Sequence, residues 1–162
     1  MKTKAAVLIF AVTALCVANA AVVRPAPDFA WQGVGKATSL RSLRGQPVVL
    51  IVARSARDRT FRKQAKRLKE LYQDFSAKNV VFVAAFKEEG GTIPSDVPFV
   101  VANNGAQVAA NYQVDGDFGL VVIGPDGNMD LMTTKLSPAT RIRDAVINSY
   151  TAQSVEREKK KQ

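Results

Sequence analysis

The stretch PVVLIVA at 47–53 most constrains what this chain can become. It is continuous, apolar and rich in β-branched residues, the pattern of a strand covered on both faces. NVVFVAAF at 79–86 repeats that pattern. Strands buried on both sides need a layer above and a layer below. Between these two, Phe61, Ala65, Leu68, Tyr72 and Phe75 recur at three- and four-residue spacing. This predicts a helix over 59–76 with one apolar stripe. Arg62, Lys63, Lys66, Arg67 and Lys69 take its other faces.

The remaining segments fit around that unit. VVRPAPDFAWQ (22–32) is extended, because its prolines oppose helix. SLRSLRGQP (39–47) reads as a short turn or helical hook ending at Gly45. KEEGGTIPSD (87–96) is a loop, PFVVA (98–102) a third strand and GAQVAANYQV (105–114) a short helix running into a turn. FGLVVIG (118–124) and MDLMTT (129–134) flank PDGN, which has the proline and glycine of a hairpin connection. Ser137-Pro138 opens a last helix with Ile142, Ala145, Val146 and Tyr150 facing inward. Alternating buried strands and helices predict a three-layer α/β fold: a mixed, mostly parallel sheet, helices on both faces, and a C-terminal antiparallel hairpin plus helix. The right-handed crossover rule puts the N-terminus of the 59–76 helix at the carboxyl end of strand 47–53.

Residues 1–20 have the form of a cleavable signal peptide. Lys2 and Lys4 precede an apolar run from Ala5 to Val17, and Ala18-Asn19-Ala20 is a small-x-small cleavage site. The run is shorter than the about 20 apolar residues a membrane span needs. A lipoprotein signal would need a small residue before Cys16, where Leu15 stands, so anchoring through Cys16 is disfavoured. The expected organisation is an exported chain, periplasmic or secreted: 1–20 removed, 21–150 one domain, and 151–162 a charged, frayed tail without a transmembrane segment.

Cleavage there would remove the only cysteine, Cys16, and the chain contains no histidine. Thiol chemistry, thiolate metal sites and imidazole-based hydrolysis are thereby excluded from the remaining chain. Carboxylate-only or lysine-based catalysis stays open, yet no paired acids stand out, and no catalytic residue, metal site or cofactor is assigned. Of 23 basic and 14 acidic side chains, Lys2 and Lys4 lie in the removed segment, leaving an excess of +7. That excess suits anionic partners, although it also serves solubility. The basic residues are not interleaved with exposed aromatics, which argues against nucleic acid. The kinase-like DFG at 117–119 stands without its companion motifs, and Asp115, Asp117, Asp126 and Asp130 fit no calcium-loop spacing.

Four pieces in order, APDF (26–29), SLRSLRGQPVVLIV (39–52), RKQAKRLKELYQDF (62–75) and NYQVDGDFGLVVIGPDGNM (111–129), resemble thioredoxin-fold proteins of the redoxin branch. That branch includes the peroxiredoxins and the periplasmic, cytochrome-maturation-type thioredoxins. The resemblance implies a peroxidatic cysteine at Phe61, its assisting threonine or serine at Asp58 and the loop proline at Arg54. In the thioredoxin register the two cysteines would fall at about Asp58 and Phe61, and the cis-proline at Phe118. None of these residues is present. A non-proline cis bond costs about 2.5–4 kcal/mol, so Asp117–Phe118 is expected to be trans.

Phe61 against Phe118 is expected to close the degenerate site, either as a plugged corner or as an apolar docking patch. Arg54, Arg57, Arg59, Arg62 and Lys63 surround the helix N-terminus and are anion-binding candidates, with a solvated face as the alternative. Asp58 is placed to cap the helix. The expected protein is a redox-inactive thioredoxin-like binding or scaffold module of the cell envelope, with an unidentified envelope protein or anionic ligand as partner. The alternatives are a redoxin-family antioxidant or oxidoreductase, and a basic protein holding anionic lipid or polysaccharide.

Overall fold

The computed structural model describes residues 24–33, 37–88 and 91–149. The signal-peptide segment with Cys16, Tyr150 and the 151–162 tail lie outside the described residues. Strand β3 (Val48–Ala53) is the centre of the fold, and every one of its side chains is buried. It pairs in parallel with β4 (Val81–Phe86) and antiparallel with β6 (Phe118–Ile123). β5 (Phe99–Val101) extends the parallel side and β7 (Met129–Thr133) the antiparallel side, giving the order β5-β4-β3-β6-β7. Four of the five strands therefore point the same way, and β6 alone runs against them.

Alternate residues of the central strands enter two separate cores. Val49, Ile51, Ala53, Phe82, Ala84, Leu120 and Val122 face α1 (Arg59–Glu70), α2 (Tyr72–Ala77) and α4 (Ala139–Ile147). Val48, Leu50, Val52, Val83, Val121 and Ile123 face α3 (Gly105–Asn111) and the N-terminal segment. The apolar runs lack alternation because both faces are covered.

The stretch expected to be one helix over 59–76 is two. Leu71, at φ −120° and ψ 25°, separates α1 from α2, and its N–H turns back to the carbonyls of Leu68 and Lys69. The break re-aims the stripe so that Tyr72 and Phe75 both meet Phe82, with ring centroids 6.2 and 5.6 Å away. Asn79, at φ 54°, ends α2 in the left-handed region, and Val80 N–H then reaches the Phe75 carbonyl. That is a Schellman ending with asparagine in place of the usual glycine.

The extended N-terminal segment also forms a small hairpin that the periodicity did not suggest, β1 (Ala30–Gln32) against β2 (Ala37–Ser39). It is held from elsewhere: Trp31 bridges to Ala102, and the Tyr112 hydroxyl donates to the Pro27 carbonyl at 2.8 Å. Burial, with the Asp28 carboxylate adding to it, raises the Tyr112 pKa, so the phenol stays a donor. The hook appears as a 3-10 turn, Leu40–Leu43, with Gly45 at φ 93° after it.

Gly127, at φ 78°, makes the β6–β7 turn. Above Gly124 in the same hairpin, the Asp126 and Asp130 carboxylates converge: a Cβ there would meet Asp130 Oδ2 at 2.6 Å and Asp126 Oδ1 at 2.9 Å. Partial burial, and then the Asp126 charge, push the Asp130 pKa from 3.8 up to about 6. The ionised form is the one the fold disfavours, so this contribution to stability is complete below about pH 4 and is lost as pH rises through 6. Asp130→Asn is expected to add about 1 kcal/mol at pH 7, a value reduced for the exposed side chain, and nothing at pH 4. Urea unfolding at both pH values checks this; an equal effect at the two would refute it.

Candidate functional site

The carboxyl ends of β3 and β4 and the start of β6 lie side by side, since Ala53 is in register with both Phe86 and Phe118. α1 begins directly above this edge. Its N-cap is Asp58, whose Oδ1 accepts from the N–H of Thr60 at 2.7 Å and of Phe61 at 3.3 Å. The amides that would stabilise a thiolate here already serve a carboxylate of the chain itself. The helix N-terminus is thus neutralised internally.

Phe61 points into the sheet and is 0% exposed. Its ring partners are Phe86, with centroids 5.2 Å apart and planes at 76°, and Phe99, at 5.4 Å and 55°. Phe99 continues to Phe82 at 5.8 Å, so Phe61 heads an aromatic row across β4 and β5. The expected ring contact with Phe118 is not what closes the site. Phe118 is buried in the same core at 5% exposure, but it sits on β6, on the other side of β3 from β4 and β5. The right-handed crossover carries α1 towards β4, and Phe61 goes with it. The Asp117–Phe118 peptide is trans, as expected. With Phe61 fully covered, no apolar docking patch is built on it.

Two polar devices were not anticipated. Gln64, also 0% exposed, donates from Nε2 to the Ser137 carbonyl and accepts from the Ser137 N–H, both at 2.9 Å. This paired clamp ties α1 to the segment before α4. Its trace in the sequence is a polar residue set inside the apolar stripe, three after Phe61 and four before Leu68. Lys87, half-buried at the end of β4, donates from Nζ to the carbonyls of Val114 and Gly116 at 2.7 and 2.8 Å, and of Asp115 at 3.3 Å. It pins the turn before β6, where thioredoxin-like proteins place their proline, and no sequence motif marks it.

The five anion candidates separate. Arg54 lies 3.8 Å from Glu88 in an exposed pair, and Arg57 is exposed. Arg59, Arg62 and Lys63 line a cleft of about 740 Å3 together with Lys66 and Lys69. Ala65 lies at its floor, and Pro94, Ser95 and Asp96 form the opposite wall. The basic surface therefore runs along α1 rather than around its N-terminus.

A profile of the AhpC/TSA family matches residues 22–131. The chain belongs to the AhpC/TSA family. Solved structures agree with that assignment at the level of fold. A thiol:disulfide interchange protein from Bacteroides sp. superposes with a TM-score of 0.62 at 15% identity, covering 82% of this chain and 94% of that one. The reduced 2-Cys peroxiredoxin of Plasmodium vivax gives 0.56 at 14% identity, over 84% and 96%. The peroxidoxin BcpB of Mycobacterium tuberculosis gives 0.56 at 15% identity, over 76% and 94%. No curated protein sequence matched. This AhpC/TSA-family chain thus has the thioredoxin-like redoxin fold. Among its described residues no helix is long and apolar enough to cross a membrane.

Proposed function

We propose that this AhpC/TSA-family protein uses no thiol of its own and works in the cell envelope as a thioredoxin-like binding module. The buried Phe61 carries the reading. A side chain packed between Phe86 and Phe99 at the start of α1 offers no nucleophile, and Asp58 holds the amides that would otherwise stabilise one. The sole cysteine of the chain is Cys16, inside the segment read as a signal peptide, and no histidine is present to act as a base. The oxidoreductase alternative has family membership in its favour. It would need Cys16 to be retained and to reach substrate.

One preparation tests both parts. Protein recovered from cells is expected to begin at Ala21 by intact mass, and to give no thiol-dependent peroxide turnover and no disulfide reduction. Recovery only as a chain that keeps residues 1–20 would end the export reading. Turnover by that preparation would end the non-thiol reading, and its disappearance in Cys16→Ser would identify the sulfur responsible.

A further inference from the structure

We propose that the basic trough along α1 is the binding site for a linear acidic polysaccharide; this rests on reading the protein as a binding module and names what it binds. Arg59, Arg62, Lys63 and Lys66 stand at positions i, i+3, i+4 and i+7, one face of the helix, about 10 Å from first to last at 1.5 Å per residue. None of the four has a carboxylate within 4.0 Å among the described residues. Lys69 is the exception: it pairs with Asp96 across the trough and closes one end. Like charges at these spacings destabilise an isolated helix by a few tenths of a kcal/mol per pair, and the Asp58 carboxylate at the N-cap is engaged with the amides of Thr60 and Phe61. A polyanion laid along the ladder would relieve that repulsion.

The shape and lining choose among polyanions. Pro94, Ser95 and Asp96 line the same cleft as the α1 cations, so the basic surface is grooved and suits a strand better than a flat bilayer. The basic wall is helix, whose main chain is already hydrogen-bonded, so an acidic peptide finds no strand edge to pair with there. Among the described residues no aromatic side chain lines the trough, so single-stranded nucleic acid finds no stacking platform there. The guanidinium forks of Arg59 and Arg62 suit the paired oxygens of carboxylate or sulfate groups repeated along a sugar chain.

Calorimetric titration of the protein with heparin and with polygalacturonate is expected to show saturable binding that weakens steeply with salt, and none with neutral dextran. The Arg62→Ala/Lys63→Ala/Lys66→Ala variant is expected to lose at least tenfold in affinity and to show a shallower salt dependence. Lys78→Ala/Lys135→Ala/Arg141→Ala removes the same charge outside the trough and is expected to change affinity less than twofold. Matching thermal melts keep folding out of the comparison. Equal losses in both variants would reduce the effect to net charge and overturn the site. Trough-dependent binding that is tighter to phosphatidylglycerol vesicles or to oligo(dT) would overturn the polysaccharide. Absence of saturable binding to both polysaccharides would overturn the proposal too, and would leave the non-thiol reading standing, because that reading is judged by turnover.

Discussion

Phe61→Ala is expected to lower the unfolding free energy by about 3–5 kcal/mol, the range for emptying a fully buried aromatic site. Two ring contacts disappear with the side chain, each worth about 0.5–1.5 kcal/mol beyond area burial. The site cannot collapse easily. β4 beneath it is hydrogen-bonded to β3 and β5, and Asp58 holds the start of α1 above it. Denaturant unfolding should show a lower midpoint at unchanged slope. A cost under about 1.5 kcal/mol would mean that Phe61 is not the plug of this corner. Phe61→Leu, which keeps most of the volume, is expected to cost clearly less and provides the reading if the alanine variant does not fold.

Gly105→Ala is expected to cost about 3 kcal/mol, against the direction that helix propensity would suggest. Alanine inside a helix is favoured over glycine by about 0.5–1 kcal/mol. Here a Cβ would stand 2.1 Å from the Phe86 carbonyl oxygen and 2.5 Å from the Phe86 nitrogen. Both are main-chain atoms of a strand paired on each side, so relief requires moving β4 or lifting α3 away from the sheet. Forcing atoms into such a contact typically costs about 1–3 kcal/mol, and backbone on one side puts this case at the upper end. The measurement is again the denaturant midpoint, and a neutral or stabilising result would show that α3 can rise freely. Because Phe86 also packs on Phe61, the two sites share a neighbour and their double variant should depart from additivity.

The strands of the sheet were legible because each carries its own evidence. PVVLIVA and the VVFVAAF that follows Asn79 are apolar at every position, and the strands they form are covered on two faces. Gly45 and Gly127 stand at positive φ, where the turn chemistry placed them. Asp58 caps α1 as its position before the apolar stripe implied. That Phe61 belongs to the core could also be read, since it opens the apolar stripe of α1. Its closure could not: Phe61 and Phe118 are both apolar, and nothing local distinguishes a partner on β6 from partners on β4 and β5.

By itself the sequence determined the order of the five sheet strands and of the helical segments between them, the capping of α1 and the absence of a cysteine or histidine beyond Cys16. These follow from period, turn chemistry and composition, which act over a few residues at a time. Tertiary structure alone decided that Phe61, from the first turn of α1, meets Phe86 and Phe99. It also decided that the 59–76 helix breaks at Leu71, that Gln64 reaches Ser137, that Lys87 gathers three carbonyls, and that Lys66 and Lys69 join the basic trough. Each of these depends on distance between segments far apart in the chain, which is set by strand order and crossover hand rather than by any local pattern.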